Sequence, residues 1–290
     1  MKNDHENGEF FGALVEWSEG DTSFFTNYWT WAEHIGDAIE RIRAHARQIG
    51  TDDLIVVEIE PYDYENLPDE TISEGNTLFV SDTKHAFPTE QSFRLPYGVV
   101  LSAVKGPHHS DESAIGHSIE EHEDGLIELA AVVEEQSLLS LYVRLAEQLP
   151  DIEVFWIKLH EEWEDPGTEA IYTNESLDDS RKIESFLLQN RLDTLSNGYV
   201  TITTYCDQGQ TNLNISDHKM IVILSYDISL IDLMSQTLEG SGVPQREQLA
   251  KVDCEFYHWH FRHPQSKSRT ELVASLEEKG VVKWDPEGTE

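Results

Sequence analysis

An excess of 36 negative charges has to find room on the outside of whatever this chain folds into. Asp and Glu number 56 against 20 Lys and Arg, and isolated carboxylates are costly to bury. Charge alone specifies no fold, but it spreads the acidic side chains over compact lobes. The chain still holds 39% hydrophobic and 10% aromatic residues, enough for a core and unlike acidic disordered segments. Its 290 residues favour two domains over one.

Local pattern divides the chain into strands and helices in two groups. Phe10 to Trp17, Leu54 to Ile59, Thr77 to Val80 and Tyr97 to Val104 read as strands. A helix is expected from about Trp31 to Ile49, where Ile35, Ala38, Ile39, Ile42 and Ala46 form one stripe ahead of Gly50. Residues 106–125, rich in acid and histidine, read as a linker or loop. Beyond them, Leu126 to Val133 reads as a strand or a helix start, and Leu138 to Leu149 as a helix stopped by Pro150. Strands are expected at Ile152 to Leu159, Tyr199 to Cys206, Thr211 to Ser216, Met220 to Tyr226 and Cys254 to Phe261. Helices are expected near Asp178 to Asn190 and around Leu230 to Leu238, and a final one opens on a Ser268–Glu271 capping box and ends at Gly280.

These elements predict an α+β protein of two lobes, residues 1–105 and 126–290, each a small, mostly antiparallel sheet with helices on one face. The halves also share a pattern. Glu16-Trp17, Gly20, Thr22 and Thr26-Asn27 match Glu162-Trp163, Gly167, Thr168 and Thr173-Asn174, each before a helix and then a strand. A degenerate internal duplication with β-α-β-β order is one explanation, and shared loop composition is the other.

The richest chemistry lies in Cys254-Glu255-Phe256-Tyr257-His258-Trp259-His260-Phe261-Arg262-His263. On a strand His258, His260 and Arg262 fall on one face and Trp259 and Phe261 on the other. Two imidazoles two residues apart can ligate one divalent metal, with His218, His160 or His263 completing the set. The structural alternative is a half-exposed strand with a polar face. Turn residues from Asn190 to Gly198 and around Asn212, Asp217 and His218 suggest a pocket on the second lobe, with Arg191, Asn212, Asp217, His218 and Arg262 as its candidate binding residues.

Other signatures fail. His117 to His122 has neither zinc-protease register, and His160-Glu161-Glu162-Trp163-Glu164 lacks the second His. No Gly-x-Ser-x-Gly elbow occurs, Gly240-Ser241-Gly242 lacks a P-loop lysine, and Cys206 reads as a buried structural thiol although a pair with His218 is conceivable. Phe24 to Trp31 reads as an aromatic loop, either a lid over the sheet or a recognition patch, and Arg41, Arg43 and Arg47 as partners for the chain's own carboxylates.

The acidic surplus argues against nucleic acid and anionic lipid as partners and suits a basic protein. Met1 to Gly8 is polar, no segment has membrane-spanning apolarity, and Cys206 and Cys254 are too few for a disulfide framework, so a cytoplasmic protein is expected. The leading functional expectation is a non-enzymatic, inhibitor- or immunity-like protein for a basic partner, with no cofactor. The alternatives are a divalent metal-dependent hydrolase built on His218, His258 and His260, and a housekeeping protein whose acidity reflects a salty habitat.

Overall fold

The computed structural model describes residues 8–51, 53–89, 93–104, 115–163, 168–255 and 257–284. Along the chain, β1 (Glu9–Glu19) and β2 (Thr22–Ala32) form a hairpin followed by α1 (Ile35–Gln48) and β3 (Ile55–Pro61). Short strands β4 (Thr71–Glu74), β5 (Leu78–Ser81), β6 (His85–Pro88) and β7 (Val99–Ser102) complete the first half. The second half begins with β8 (Gly116–Glu121), β9 (Ile127–Val132), α2 (Leu138–Ala146), β10 (Val154–Leu159), β11 (Ala170–Thr173), α3 (Ser180–Gln189) and β12 (Val200–Cys206). It continues through β13 (Thr211–Ile215), β14 (Ile221–Ser225), α4 (Ile228–Glu239), α5 (Val252–Glu255), β15 (His258–His260), α6 (Arg269–Glu278) and β16 (Val282–Lys283).

The strands make two eight-stranded sheets, so the fold is the expected α+β with two sheet regions. The first runs β15-β7-β3-β1-β2-β5-β4, with β6 also on β2, and among these strands the pairings are antiparallel except β3 with β7. The second runs β16-β11-β10-β12-β13-β14-β9-β8 and is antiparallel throughout. Alternate residues such as Phe155, Ile157, Leu159, Ile202, Leu213 and Ile223 turn to the face that buries the stripes of α2, α3, α4 and α6. On the first sheet Phe11, Ala13, Val15 and Ile59 do the same under Ala38, Ile39 and Ile42 of α1. The basic residues of α1 pair locally: Arg41 with Asp37 at 3.0 Å, and Arg43 and Arg47 with Glu40 at 3.7 and 3.4 Å.

The two halves repeat one topological unit. In both, a hairpin (β1-β2 or β10-β11) leads into a helix, and the following strand (β3 or β12) pairs antiparallel with the other side of the first. The order is β-β-α-β instead of β-α-β-β, and beyond this unit the sheets diverge.

Four expectations change. Phe24 to Trp31 belongs to β2, which keeps an eleven-residue register with β1; its alternating aromatic and Thr residues suit a pleated surface, and α1 starts only after His34 accepts a cap bond from the Asp37 amide. Of the expected linker, residues 116–121 form β8; it reads as a loop because an edge strand carries few apolar residues and sends Glu120 and Glu121 to solvent. His117 within it is buried, with Nδ1 at 2.9 Å from the Val243 carbonyl and Nε2 at 2.7 Å from Ser235 Oγ. Residues 105–114, with His108 and His109, lie outside the described residues. The strand expected from Cys254 is shortened to His258–His260, the three residues in register with β7, and α5 precedes it. That strand joins the first sheet, so a segment of the second half completes the first. Among the described residues, no helix is long and apolar enough to cross a membrane.

Candidate metal centre

The connection between β13 and β14 places two polar residues at the tip of a turn. The Lys219 amide donates to the Ser216 carbonyl at 3.0 Å and the Ser216 amide to the Met220 carbonyl at 2.9 Å, with Lys219 at φ 59°. This is the pattern of a turn closed by a left-handed residue, and it leaves Asp217 and His218 at the corner. The Lys219 side chain is buried beneath the tip and donates to the carbonyls of Val200 (2.8 Å) and Thr194 (3.3 Å). Burial pushes its ammonium down to about 7, with Asp217 opposing the shift.

Against this tip lies β15. Its alternation turns Trp259 into the core of the first sheet and presents His258 and His260 on the other face. The strand is held on β7 by pairing, and the Tyr199 hydroxyl donates to the His260 carbonyl at 2.9 Å. Just beyond it, Gly98 and Gly198 bring two backbones together. The Phe261 amide donates to the Gly98 carbonyl and the Gly198 amide to the Phe261 carbonyl, both at 2.9 Å. A Cβ on Gly198 would lie 2.1 Å from the Gly98 oxygen, so only glycine permits this approach.

His218, His258 and His260 therefore converge, each half-buried, with one ring nitrogen apiece lying within 4.8 Å of the others. Their ring centroids are 4.7 to 5.1 Å apart. The Nε2 atoms of His258 and His260 are separated by 3.2 Å. Two nitrogens about 2.0–2.1 Å from a tetrahedral metal ion stand about 3.3 Å apart, so this pair already has the edge length of a coordination tetrahedron. Among the described residues the set has three members.

The surroundings suit imidazoles acting as ligands. Asp217 Oδ1 lies 3.0 Å from His218 Nδ1, which puts the proton on Nδ1 and leaves the Nε2 lone pair outward. The second Asp217 oxygen is 4.0 Å from His160 Nδ1, and His160 Nε2 is 2.9 Å from Thr201 Oγ1. Burial raises the Asp217 carboxyl, but the His218 hydrogen bond and the nearby imidazoles outweigh it and hold the group well below the usual carboxylate range. His260 is pushed down to about 4 by burial, against Asp217 and with help from His218, His258 and Lys219. It is neutral at physiological pH, the form in which imidazole binds metal.

The other sequence-predicted residues lie elsewhere. His263 turns toward α1, with Nε2 at 3.8 Å from Glu40. Arg262 bridges Asn197 and donates to the Ser266 carbonyl (3.3 Å) and Oγ (3.1 Å). Asn212 is the second residue of β13, about 13 Å along the strand from the Ser216 end. Arg191 lines a separate cleft with Glu135. Cys206 pairs with Thr211 at the opposite end of β13 from the His218 turn, so the two do not meet. Lys219 carries no sequence signal, because its role depends on where its long side chain is buried. No family model, curated protein or solved structure matches the chain.

Proposed function

We propose that this protein is a metal-dependent hydrolase, with His218, His258 and His260 as the ligands of a zinc-type ion. The observation that carries this reading is the convergence of three half-buried imidazoles from two different sheets, two of them already spaced for one ion. A site of three protein ligands keeps a position open, whereas structural zinc sites close it with a fourth. An ion bound there supplies an activated water near neutral pH. The protein's own contribution is orientation and proton placement. Asp217 fixes the His218 tautomer, burial keeps His260 neutral, and the Tyr199 hydroxyl and the β7 ladder hold the strand that bears two ligands. His160 Nδ1, beside the far oxygen of Asp217, is the next titratable atom along the chain of contacts.

The test is a panel of chromogenic ester, phosphoester and amide substrates, with protein purified without a histidine tag and loaded with zinc or manganese. Turnover that chelator abolishes and His258→Ala removes, with an unchanged circular dichroism spectrum, is the expected result. Turnover equal with and without metal would contradict it.

The net charge of −36 favours a second reading, an interaction protein that binds a basic partner through its acidic surface. Capture that strengthens at low ionic strength and leaves His218, His258 and His260 uninvolved would favour it over the enzyme.

A further inference from the structure

A cleft of about 480 Å³ opens between the two sheets, away from the histidines. Its walls come from the end of β1 (Glu16, Trp17), the segment before β7 (Arg94), the β9–α2 connection (Glu134, Glu135) and the residue after the α3 cap (Arg191). Arg191 and Glu135 also line an adjoining hollow of about 180 Å³, so the two spaces share a wall.

The charges in this cleft are arranged unlike those on α1, where each arginine has a carboxylate partner. Among the described residues neither Arg94 nor Arg191 forms an ion pair, although four carboxylates, Glu16, Glu134, Glu135 and Asp53, line the same space. Arg94 is fixed by one bond, from Nη2 to the Asp53 carbonyl at 3.1 Å, which leaves its other N–H groups available. Arg191 is exposed, Glu135 is half-buried, and neither side chain has a hydrogen-bond partner among the described residues. Glu134 is steadied by the Gln136 amide at 3.0 Å. In a chain this acidic, two arginines that make no ion pair among the described residues, in a cleft that also holds carboxylates, offer both signs of charge to one ligand.

We infer that the cleft binds a ligand carrying both a free α-carboxylate and a cationic side chain, as in arginine or lysine. Arg94 and Arg191 take the carboxylate, where a planar guanidinium offers paired donors. Glu134 and Glu135 take the cation, and Trp17 forms the apolar wall along the aliphatic stem. The same chemistry occurs in a free basic amino acid and at the C-terminus of a peptide ending in one.

Calorimetry on the full chain at low salt tests this with four probes: L-arginine, agmatine (which lacks the carboxylate), Gly-Gly-Arg and its C-terminal amide. Saturable binding of L-arginine, of Gly-Gly-Arg or of both is expected, with agmatine and the amide at least about tenfold weaker. Binding of L-arginine alone identifies the free amino acid as the ligand, and binding of the peptide identifies a C-terminus. Arg191→Ala removes the preference over agmatine or the amide, Glu135→Gln weakens binding about tenfold, and both retain wild-type melting temperatures and metal binding. No saturable binding by either carboxylate probe overturns the inference. So does equal binding of agmatine and L-arginine or of the amide and its acid, which would reduce the cleft to a general attraction for cations. These outcomes are independent of the metal centre, since none of its three histidines lines the cleft.

Discussion

Asp217 serves two imidazoles at once, so its charge can be removed without touching a ligand. Asp217→Asn keeps the size of the side chain but replaces the carboxylate that holds His218 in its Nδ1–H form with a neutral amide, a weaker acceptor. Zinc affinity, measured by competition with a chromophoric chelator, is expected to fall about 10- to 100-fold, the usual cost of losing an outer-shell partner. An unchanged affinity would mean that Asp217 does not position His218. His117 gives a prediction of a different kind. Burial pulls its pKa below the ordinary 6.5, against the Val243 carbonyl bond. The unfolded chain therefore binds the proton more readily than the folded one, so this contribution to stability is complete above 6.5 and is lost as pH falls below it. His117→Gln should flatten the pH slope of urea-derived stability below that point, by at most about 1.4 kcal/mol per pH unit. At this scale the sequence was legible where a period was enough. The i, i+2 spacing places His258 and His260 on one face, and turn chemistry singles out Asp217 and His218. Arg191 and Asn212 share the same loop composition yet lie elsewhere, because composition does not report which end of a strand a loop occupies.

Among the elements, the seam between Gly98 and Gly198 sets the position of β15. Gly198→Ala drives a methyl against the Gly98 carbonyl, a backbone atom that cannot rotate away. It is expected to cost a few kcal/mol, about 1–3 for an overpacked site, and to weaken zinc binding by displacing His260. Ser268→Ala, at a capping box whose bonds run to Glu271, is expected to cost about 0.5–2 kcal/mol in chemical denaturation and to leave zinc affinity unchanged. The contrast between these variants separates general destabilisation from loss of the site. Helices were the easier elements to read, because stripes such as Ile183, Phe186 and Leu187 are local. Strands β2 and β8 were harder. The first carries aromatics that also suit a loop, and the second is an edge whose outer face is acidic. The pairing of β15 with β7 joins residues about 160 positions apart, and no local pattern encodes such a contact.

For the molecule as a whole, two features act over long range: the surplus negative charge and the meeting of two sheets at one cluster. Self-repulsion among 36 uncompensated charges opposes compactness, and salt shortens its range from about 30 Å at 0.01 M to about 3 Å at 1 M. The melting temperature is expected to rise steadily with sodium chloride over that interval. A fall would show that attractive ion pairs, such as Lys267 with the buried Asp193 at 2.6 Å, outweigh the repulsion. A β-β-α-β unit recurs in both halves, although the surrounding strands differ. The histidines lie where β15 from the first sheet meets the β13–β14 turn of the second, so an ion held there ties the two sheets together. X-ray absorption at the zinc edge, on tag-free protein loaded with one equivalent of zinc, addresses the centre most directly. The account predicts about three imidazole nitrogens at about 2.0–2.1 Å with one further light atom, and loss of that signal in the His258→Ala, His260→Ala double variant. A shell of oxygen donors alone, unchanged in the double variant, would contradict it.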